Sequence, residues 1–181
     1  MSLRFTGAEV LWPDGLARCD LGLADGVICE PQKGRSVNLN GLWVLPGIVD
    51  AHGDGFERHL APRRGVVFDT RQGLASVEAE LLANGITTAM LAQFWSWEGG
   101  MRGPKFARAL AEGLSAFAGA ADMRMLLRLE IGCWQDFDEV EALIAKRHIS
   151  HLVFSDHLPH EALAAGRKVP RLEGQALKAG R

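Results

Sequence analysis

Residues 45–59 read Leu-Pro-Gly-Ile-Val-Asp-Ala-His-Gly-Asp-Gly-Phe-Glu-Arg-His, an apolar, β-branched run that ends in a dense polar cluster. Strand side chains repeat every two residues, so the spacing predicts that Asp50, His52 and Asp54 lie along one side of an extended chain. An imidazole and a carboxylate placed together are typical ligands of zinc, manganese or iron. Because a His-x-Asp pair is also common without any metal, an ordinary polar strand end is the alternative.

Strands and helices alternate along the chain from residue 45 onward. The apolar patterns predict strands at 45–52, 86–92, 124–131 and 151–156, and helices at 71–84, from Pro104 and from Asp136. Such alternation is typical of a parallel sheet with right-handed crossovers. We therefore expect an α/β fold in which residues 45–181 form a partial (β/α)8 TIM-like barrel of about four βα units. Since a whole barrel needs about 250 residues, we interpret this region as the N-terminal half of a longer enzyme.

The helical patterns also predict which residues face inward and how two helices begin. The first helix is expected to bury four leucine and valine side chains, namely Leu74, Val77, Leu81 and Leu82. Pro104 is a suitable first residue for the second helix. Asp136, with Glu139 three residues later, predicts a capping-box start for the third.

Residues 1–44 form a separate region in this interpretation. Short apolar segments at 4–12, 19–23, 27–31 and 37–42 are separated by turn signals such as Asp25-Gly26. They predict a small β subdomain, either a meander or of β-sandwich type. No cluster of reactive side chains occurs there, so we expect no chemistry in this part of the chain.

Composition narrows the possible partners and the cellular setting. The chain has 181 residues with a formal net charge of −2, which gives no case for nucleic acid or an acidic membrane surface. No apolar run approaches the roughly 20 residues of a membrane span, and no secretory signal pattern is visible. The three cysteines are scattered without a C-x-x-C motif, which disfavours a zinc–thiolate site and favours a reducing cytoplasm.

Ligand-capable side chains follow each of the four predicted strands. They are His52 with Asp54, Gln93, Glu130 and His157. Because the active site of a (β/α)8 protein lies at the carboxyl ends of its strands, we expect these side chains on one rim. As alternatives, Glu130 could pair with Arg128 or Arg58, and His157 could be a helix cap or a surface residue.

The stretch 45–63 resembles the amidohydrolase superfamily, and more narrowly its branch that acts in phosphonate metabolism. The superfamily pattern Pro-Gly-x-x-Asp-x-His is present from Pro46 to His52, and Asp54 stands where most members have a second histidine. Further segments are similar to this branch: Gly85–Ala89, Ala92–Gly100, Arg128–Glu130 and Phe154–Leu158. The resemblance covers essentially the whole chain after residue 40.

The resemblance implies a metal-dependent hydrolase that cleaves a ribosyl 5-triphosphate to the 5-phosphate and pyrophosphate. It implies a divalent metal, zinc first and manganese or iron as alternatives, in a ligand set of His52, Asp54, Glu130 and His157. Glu130 would replace the bridging carboxylate or carbamylated lysine found elsewhere in the superfamily. The family's general base lies beyond residue 181, so we assign no catalytic residue within the chain.

The expected substrate contacts are Arg58 and His59, in the loop after the first strand, and Gln93, at the end of the second strand. The arginine guanidinium can donate two parallel hydrogen bonds to phosphate oxygens. The segment from Phe56 to Arg64 is rich in cationic side chains. A solvated cationic loop is the alternative. The expected partners are a small phosphorylated substrate and either the missing C-terminal half or another copy of the chain.

Two other functions stay open at this point. The chain could belong to a related amidohydrolase such as a deacetylase. It could also be a non-catalytic remnant that acts only through association with another chain, because the later ligands implied by the resemblance are absent from it.

Overall fold

The computed structural model describes residues 2–63, 66–169 and 172. The chain divides into two units, Met1–Gly47 and Ile48–Arg181. No helix in the described part of the chain is both long and apolar enough to cross a membrane.

The N-terminal unit contains seven short strands in two small sheets. The strands are β1 (Ser2–Thr6), β2 (Glu9–Trp12), β3 (Gly15–Arg18), β4 (Leu21–Ala24), β5 (Val27–Cys29), β6 (Arg35–Asn38) and β7 (Trp43–Val44). The sheet orders are β5-β4-β1-β6 and β3-β2-β7. Because β1 pairs with β6 and β2 with β7 in parallel, the unit is not the simple meander considered above.

The turn predicted in this unit forms as expected. Asp25 and Gly26 both have positive φ, +50° and +82°, and Ala24 pairs with Val27 across the two-residue loop. Positive φ at both central residues is the type I′ geometry that suits the twist of an antiparallel hairpin.

The second unit is a mixed α/β structure around a four-stranded sheet. Its strands are β8 (Ile48–Gly53), β9 (Ile86–Trp95), β10 (Asp122–Glu130) and β11 (His151–Ser155). Its helices are α1 (Glu57–Leu60), α2 (Thr70–Ala83), α3 (Pro104–Ala116), α4 (Phe137–Arg147) and α5 (His160–Ala164). The sheet order is β8-β9-β10-β11 and every neighbouring pair is parallel, as the alternating pattern predicted.

The sheet has two differently packed faces. Ala89, Leu91 and Trp95 of β9 belong to the main core with apolar residues of α2 and α3, which makes this the helix-covered face. Met90 and Ala92 form a separate small cluster with Leu126 of β10. Since side chains alternate along a strand, these residues mark the opposite side, hereafter the inner face.

The first predicted helix begins and ends close to where the sequence indicated, and the second begins at Pro104 as predicted. Asp69 caps α2 by accepting the backbone N–H of Gln72 at 3.1 Å. Gly85 follows the helix with φ +76°, a conformation that glycine adopts without strain. Leu82 is the exception to the predicted inward set, because its side chain is 41% exposed.

The predicted capping box of α4 is wrong. Asp136 precedes the helix but caps it with no side-chain hydrogen bond. Its carboxylate instead accepts the indole N–H of Trp95 at 2.9 Å, and Glu139 pairs with Arg108 of α3. Both side chains are therefore used to attach α4 to neighbouring elements.

Candidate functional site

The carboxyl end of β8 is irregular at the residues that carry its polar side chains. The pairing of β8 with β9 shifts register between Asp50 and Gly53. Asp50 Oδ1 accepts the backbone N–H of His52 at 3.0 Å, and Asp50 lines a small cavity with Val77 and Leu81 of α2. The irregularity therefore separates Asp50 from the regular alternation that the sequence predicted for it.

His52 and Asp54 lie close together, as predicted for the end of this strand. His52 Nε2 is 3.5 Å from Asp54 Oδ1, and both side chains are largely accessible to solvent. Asp54 Oδ1 also lies 3.4 Å from Nη1 of Arg128, which projects from β10. The carboxylate of Asp54 is thus shared between an imidazole and a guanidinium.

Glu130 and His157 form a second pair at the ends of β10 and β11. The Glu130 side chain is only 1% exposed, and His157 Nδ1 contacts its Oε1. The backbone N–H of His157 donates to Oε2 of the same carboxylate at 3.2 Å. The buried carboxylate therefore has His157 as its partner rather than Arg128 or Arg58, the two alternatives raised by the sequence.

Phe94 and Arg128 lie between these two pairs. The Arg128 guanidinium carbon is 4.0 Å from the centre of the Phe94 ring, a cation–π geometry. The His157 ring meets the same phenyl ring at 5.9 Å between centroids and 62° between planes. We call this set the inner rim; it consists of His52, Asp54, Phe94, Arg128, Glu130 and His157.

The inner rim offers ligands for a divalent ion in pairs rather than as one cluster. Within residues 2–63, 66–169 and 172, no three His, Cys, Asp or Glu side chains gather where they could hold a metal. Imidazole and carboxylate are donor types that suit zinc, manganese or iron. The donors fit such an ion chemically, while each pair alone would leave most of its coordination positions to other groups.

Gln93 is not brought to the inner rim. β9 continues two residues beyond it to Trp95, and Gln93 shares the alternation of Leu91 and Trp95, which pack on the helix-covered face. Its Nε2 donates to the carbonyl oxygens of Phe94 and Met101, both at 2.7 Å. The side chain is fully buried, so its placement gives no support to the predicted substrate contact.

Arg58 and His59 lie in α1, a short helix where the sequence predicted a loop. Both side chains contact the carboxylate of Glu80 on α2. Partial burial, together with the nearby Arg58 charge, lowers the pKa of His59. These two residues are therefore held toward α2 rather than brought to the inner rim. Arg64, also in the predicted cationic segment, lies outside the described residues.

Glu57, Glu98 and Arg102 lie near the inner rim, and none of them was assigned a role from the sequence. Burial raises the pKa of Glu57; the charge of Asp54 adds to this effect, and those of Arg102 and Arg128 oppose it. Arg102 pairs with Glu98 at 3.2 Å and lies 4.6 Å from the centre of the Phe94 ring. The available signal was the cluster of charges after β8 and β9, because loops that follow parallel strands converge at one edge of the sheet.

Comparison with known proteins gives one sequence relative and several structural ones. No family model matches the chain. Over 139 residues it is 27% identical to alpha-D-ribose 1-methylphosphonate 5-triphosphate diphosphatase of Escherichia coli K12, a match that covers 74% of the chain and 37% of that enzyme.

Two solved structures share the fold. The formyltransferase/hydrolase complex of Methylorubrum extorquens, in complex with methylofuran, superposes with a TM-score of 0.57 at 20% identity, covering 85% of this chain and 32% of that one. A D-hydantoinase superposes with a TM-score of 0.53 at 17% identity, covering 84% and 32%. The chain thus spans about a third of the length of each of these three proteins.

Proposed function

We propose that the chain contributes part of the active site of a hydrolase of the amidohydrolase superfamily that acts on a phosphate anhydride. The main support is the geometry of the inner rim. His52 and Asp54 lie at the end of one parallel strand, and Glu130 and His157 lie at the ends of two others. Arg128 and Phe94 lie between the two pairs. The Escherichia coli relative suggests α-D-ribose 1-methylphosphonate 5-triphosphate as substrate. The similar fold of a D-hydantoinase supports the broader class of hydrolase.

In this proposal His52, Asp54, Glu130 and His157 are the chain's ligands for a divalent ion, and the remaining ligands come from outside it. Such an ion supplies a Lewis acid and lowers the pKa of bound water toward neutrality. Arg128, beside Asp54, is positioned to neutralise negative charge on a phosphoryl group. The phenyl ring of Phe94 keeps the guanidinium in place by stacking against it.

Metal binding is the first test. The longest form of the protein that the gene encodes is equilibrated with Zn²⁺ or Mn²⁺, and the bound metal is quantified by inductively coupled plasma mass spectrometry. We expect His52→Asn and Asp54→Asn to weaken binding by about tenfold or more, since each would remove a direct ligand. His148→Asn is the matched control, because His148 is an exposed histidine at the end of α4. Equal metal content in all three variants and the wild type would contradict the proposal.

Hydrolysis is the second test, and it identifies the substrate. Pyrophosphate release is measured from the ribosyl triphosphate, and amide hydrolysis from N-acyl and hydantoin substrates, using the longest form of the protein that the gene encodes. Activity on the triphosphate alone supports the phosphate-anhydride assignment. Activity on amides alone would favour the deacetylase-like alternative.

A non-catalytic role is the second candidate, and a specific observation favours it. Arg128 already neutralises Asp54, and the described residues gather no group of three metal ligands. A chain of this kind would act by associating with another chain. It would bind neither Zn²⁺ nor Mn²⁺ at the inner rim, so the metal measurement separates the two candidates.

A further inference from the structure

A cavity of about 800 Å³ lies beside the inner rim, between the segment that follows α1 and the segment that leads into α3. Its size is in the range of pockets that hold small organic ligands. It is lined by Ala61, Arg63, Val67, Glu98, Gly99, Gly100, Met101, Arg102, Lys105, Phe106 and Ala109.

The cavity is locally cationic in a chain whose net charge is −2. Arg63, Arg102 and Lys105 face one acidic residue, Glu98, which pairs with Arg102 at 3.2 Å. Among residues 2–63, 66–169 and 172, neither Arg63 nor Lys105 has an ion-pair partner. A concave site that concentrates unpaired cations attracts anions more strongly than the same charges on a convex surface.

The cavity adjoins the inner rim through a single aromatic ring. Arg102, which lines the cavity, lies 4.6 Å from the centre of the Phe94 ring, and Arg128 of the rim lies 4.0 Å from the same centre. The charges of both arginines act on the carboxyl of Glu57 as well. An extended anion could therefore reach from the metal ligands into the cavity.

We propose that this cavity is an oligophosphate subsite, in which Arg63, Arg102 and Lys105 receive the phosphates that leave as pyrophosphate. Arginine binds phosphate oxygens through two parallel hydrogen bonds from its guanidinium, and lysine binds them through its compact positive charge. Apolar side chains, among them Val67 and Phe106, complete the lining. The identity of the ligand rests on the proposed function, whereas the binding of an oligophosphate does not.

The test uses inorganic tripolyphosphate and metal-free protein, so that neither hydrolysis nor metal chelation enters the measurement. Binding is measured by isothermal titration calorimetry for the wild type and for Arg63→Gln, Lys105→Gln and the double variant. We expect each single change to weaken binding by about tenfold, as for loss of one charge-assisted hydrogen bond. Lys146→Gln, which removes an exposed lysine of α4, is the matched control and should change affinity by less than about twofold.

Citrate at the same ionic strength distinguishes a phosphate site from a general attraction of polyanions. Equal affinity for citrate and tripolyphosphate would overturn the proposal, as would equal tripolyphosphate affinity in the double variant and the wild type. Circular dichroism verifies that the variants are folded, and Lys105→Arg should retain most of the affinity because it keeps the charge.

The two proposals can fail separately. If tripolyphosphate binding depends on Arg63 and Lys105 while no divalent metal binds, the subsite stands and the hydrolase assignment fails. If metal binding depends on His52 and Asp54 while tripolyphosphate does not bind, the hydrolase assignment stands and the subsite is overturned.

Discussion

Arg128 Nη1 lies 3.4 Å from Asp54 Oδ1, which connects the end of β8 to β10 across the inner face of the sheet. The guanidinium occupies a position beside a carboxylate that we propose as a metal ligand. It therefore competes with a divalent ion for the same negative charge. The other neighbour of Asp54 is the His52 imidazole at 3.5 Å. It carries no negative charge, so it does not relieve this competition.

Replacing Arg128 should strengthen metal binding. In Arg128→Gln the Asp54 carboxylate loses its cation, and we expect the affinity for Mn²⁺ to rise by about three- to tenfold, the equivalent of a partly exposed ion pair of about 1 kcal/mol. Titration followed by electron paramagnetic resonance of free Mn²⁺ measures this directly. Arg124→Gln is the control, because Arg124 pairs with Asp122 at the other end of β10. Weaker Mn²⁺ binding in Arg128→Gln would show that the arginine supports the site instead.

Glu80 should be more important for stability than an ordinary surface carboxylate. It contacts both Arg58 and His59, so Glu80→Gln leaves two side chains of α1 without their carboxylate partner. We expect a loss of about 1 kcal/mol in the free energy of unfolding by urea, because the cluster is partly exposed. Glu112→Gln, which affects only a 3.9 Å pair with Arg147, should cost close to nothing. Equal effects of the two variants would argue against a cooperative cluster.

The same cluster bears on the predicted substrate role of Arg58. If Arg58 contacts phosphate in the hydrolase that we propose, Arg58→Ala lowers hydrolysis of the ribosyl triphosphate by the longest form of the protein far more than it lowers metal content. If Arg58 only holds α1 against α2, Glu80→Gln and Arg58→Ala lower activity together and in proportion to the fraction of unfolded protein. Thermal unfolding of both variants beside the rate measurement distinguishes these results.

Gly73 is a helix position where alanine should destabilise the protein. In an exposed helix interior, glycine to alanine gains about 0.5–1 kcal/mol. A Cβ on Gly73 would clash with Cδ2 of Leu60, and Leu60 is buried. We therefore expect Gly73→Ala to lose about 1–3 kcal/mol by overpacking.

A double-mutant cycle verifies the cause. In a Leu60→Ala background the space opposite Gly73 is free, so the same Gly73→Ala change should become neutral or stabilising in urea unfolding. Equal losses in the two backgrounds would place the strain elsewhere.

Asp20 should titrate below the ordinary range of an aspartate. The Arg4 guanidinium donates hydrogen bonds to the Asp20 carboxylate, and the distance from Nη2 to Oδ2 is 2.7 Å. These bonds favour the ionised carboxylate and lower its pKa. The folded state therefore gains stability from Asp20 above the unfolded pKa of about 3.9, and this contribution is lost as pH falls through the lower folded pKa. Carboxyl NMR titration should show the Asp20 midpoint rising in Arg4→Gln, while that of Asp122, held low by Arg124, stays unchanged.

The outer strands of the four-stranded sheet should make the 181-residue chain self-associate. β8 and β11 are its edges, and Val49 and Phe154 on them are 63% and 60% exposed. Open edges with exposed apolar side chains recruit further strands. Light scattering after gel filtration should show dimers or larger species, and Val49→Lys with Phe154→Lys should reduce them. Leu82→Lys, an exposed apolar position on α2, should not; a monodisperse wild-type monomer would contradict the prediction.

Local sequence signals predicted the order of strands and helices well because those signals act over a few residues. The Asp25-Gly26 turn, the proline that begins α3 and the glycine after α2 each depend on backbone preferences of single residues. The parallel pairing of β8 to β11 followed from the alternation of strands and helices, which leaves few ways to connect them.

Tertiary packing overrode the sequence where a side chain had two possible partners. Asp136 could have capped α4, but the buried indole of Trp95 needed an acceptor and the helix start did not. Gln93 could have ended its strand at the rim, but β9 extends to Trp95, and a shift of position along a strand changes the face on which a side chain lies.

The sequence by itself determined which chemical groups stand at the ends of the strands: His52 and Asp54 after one strand, Glu130 and His157 after two others. Only the tertiary structure decided their partners. Arg128 reaches Asp54 across 74 residues of sequence, and Glu80 turns Arg58 and His59 toward α2. Strand order and side-chain periodicity are properties of short segments, whereas an ion pair forms between whichever opposite charges the folded backbone brings within a few ångströms.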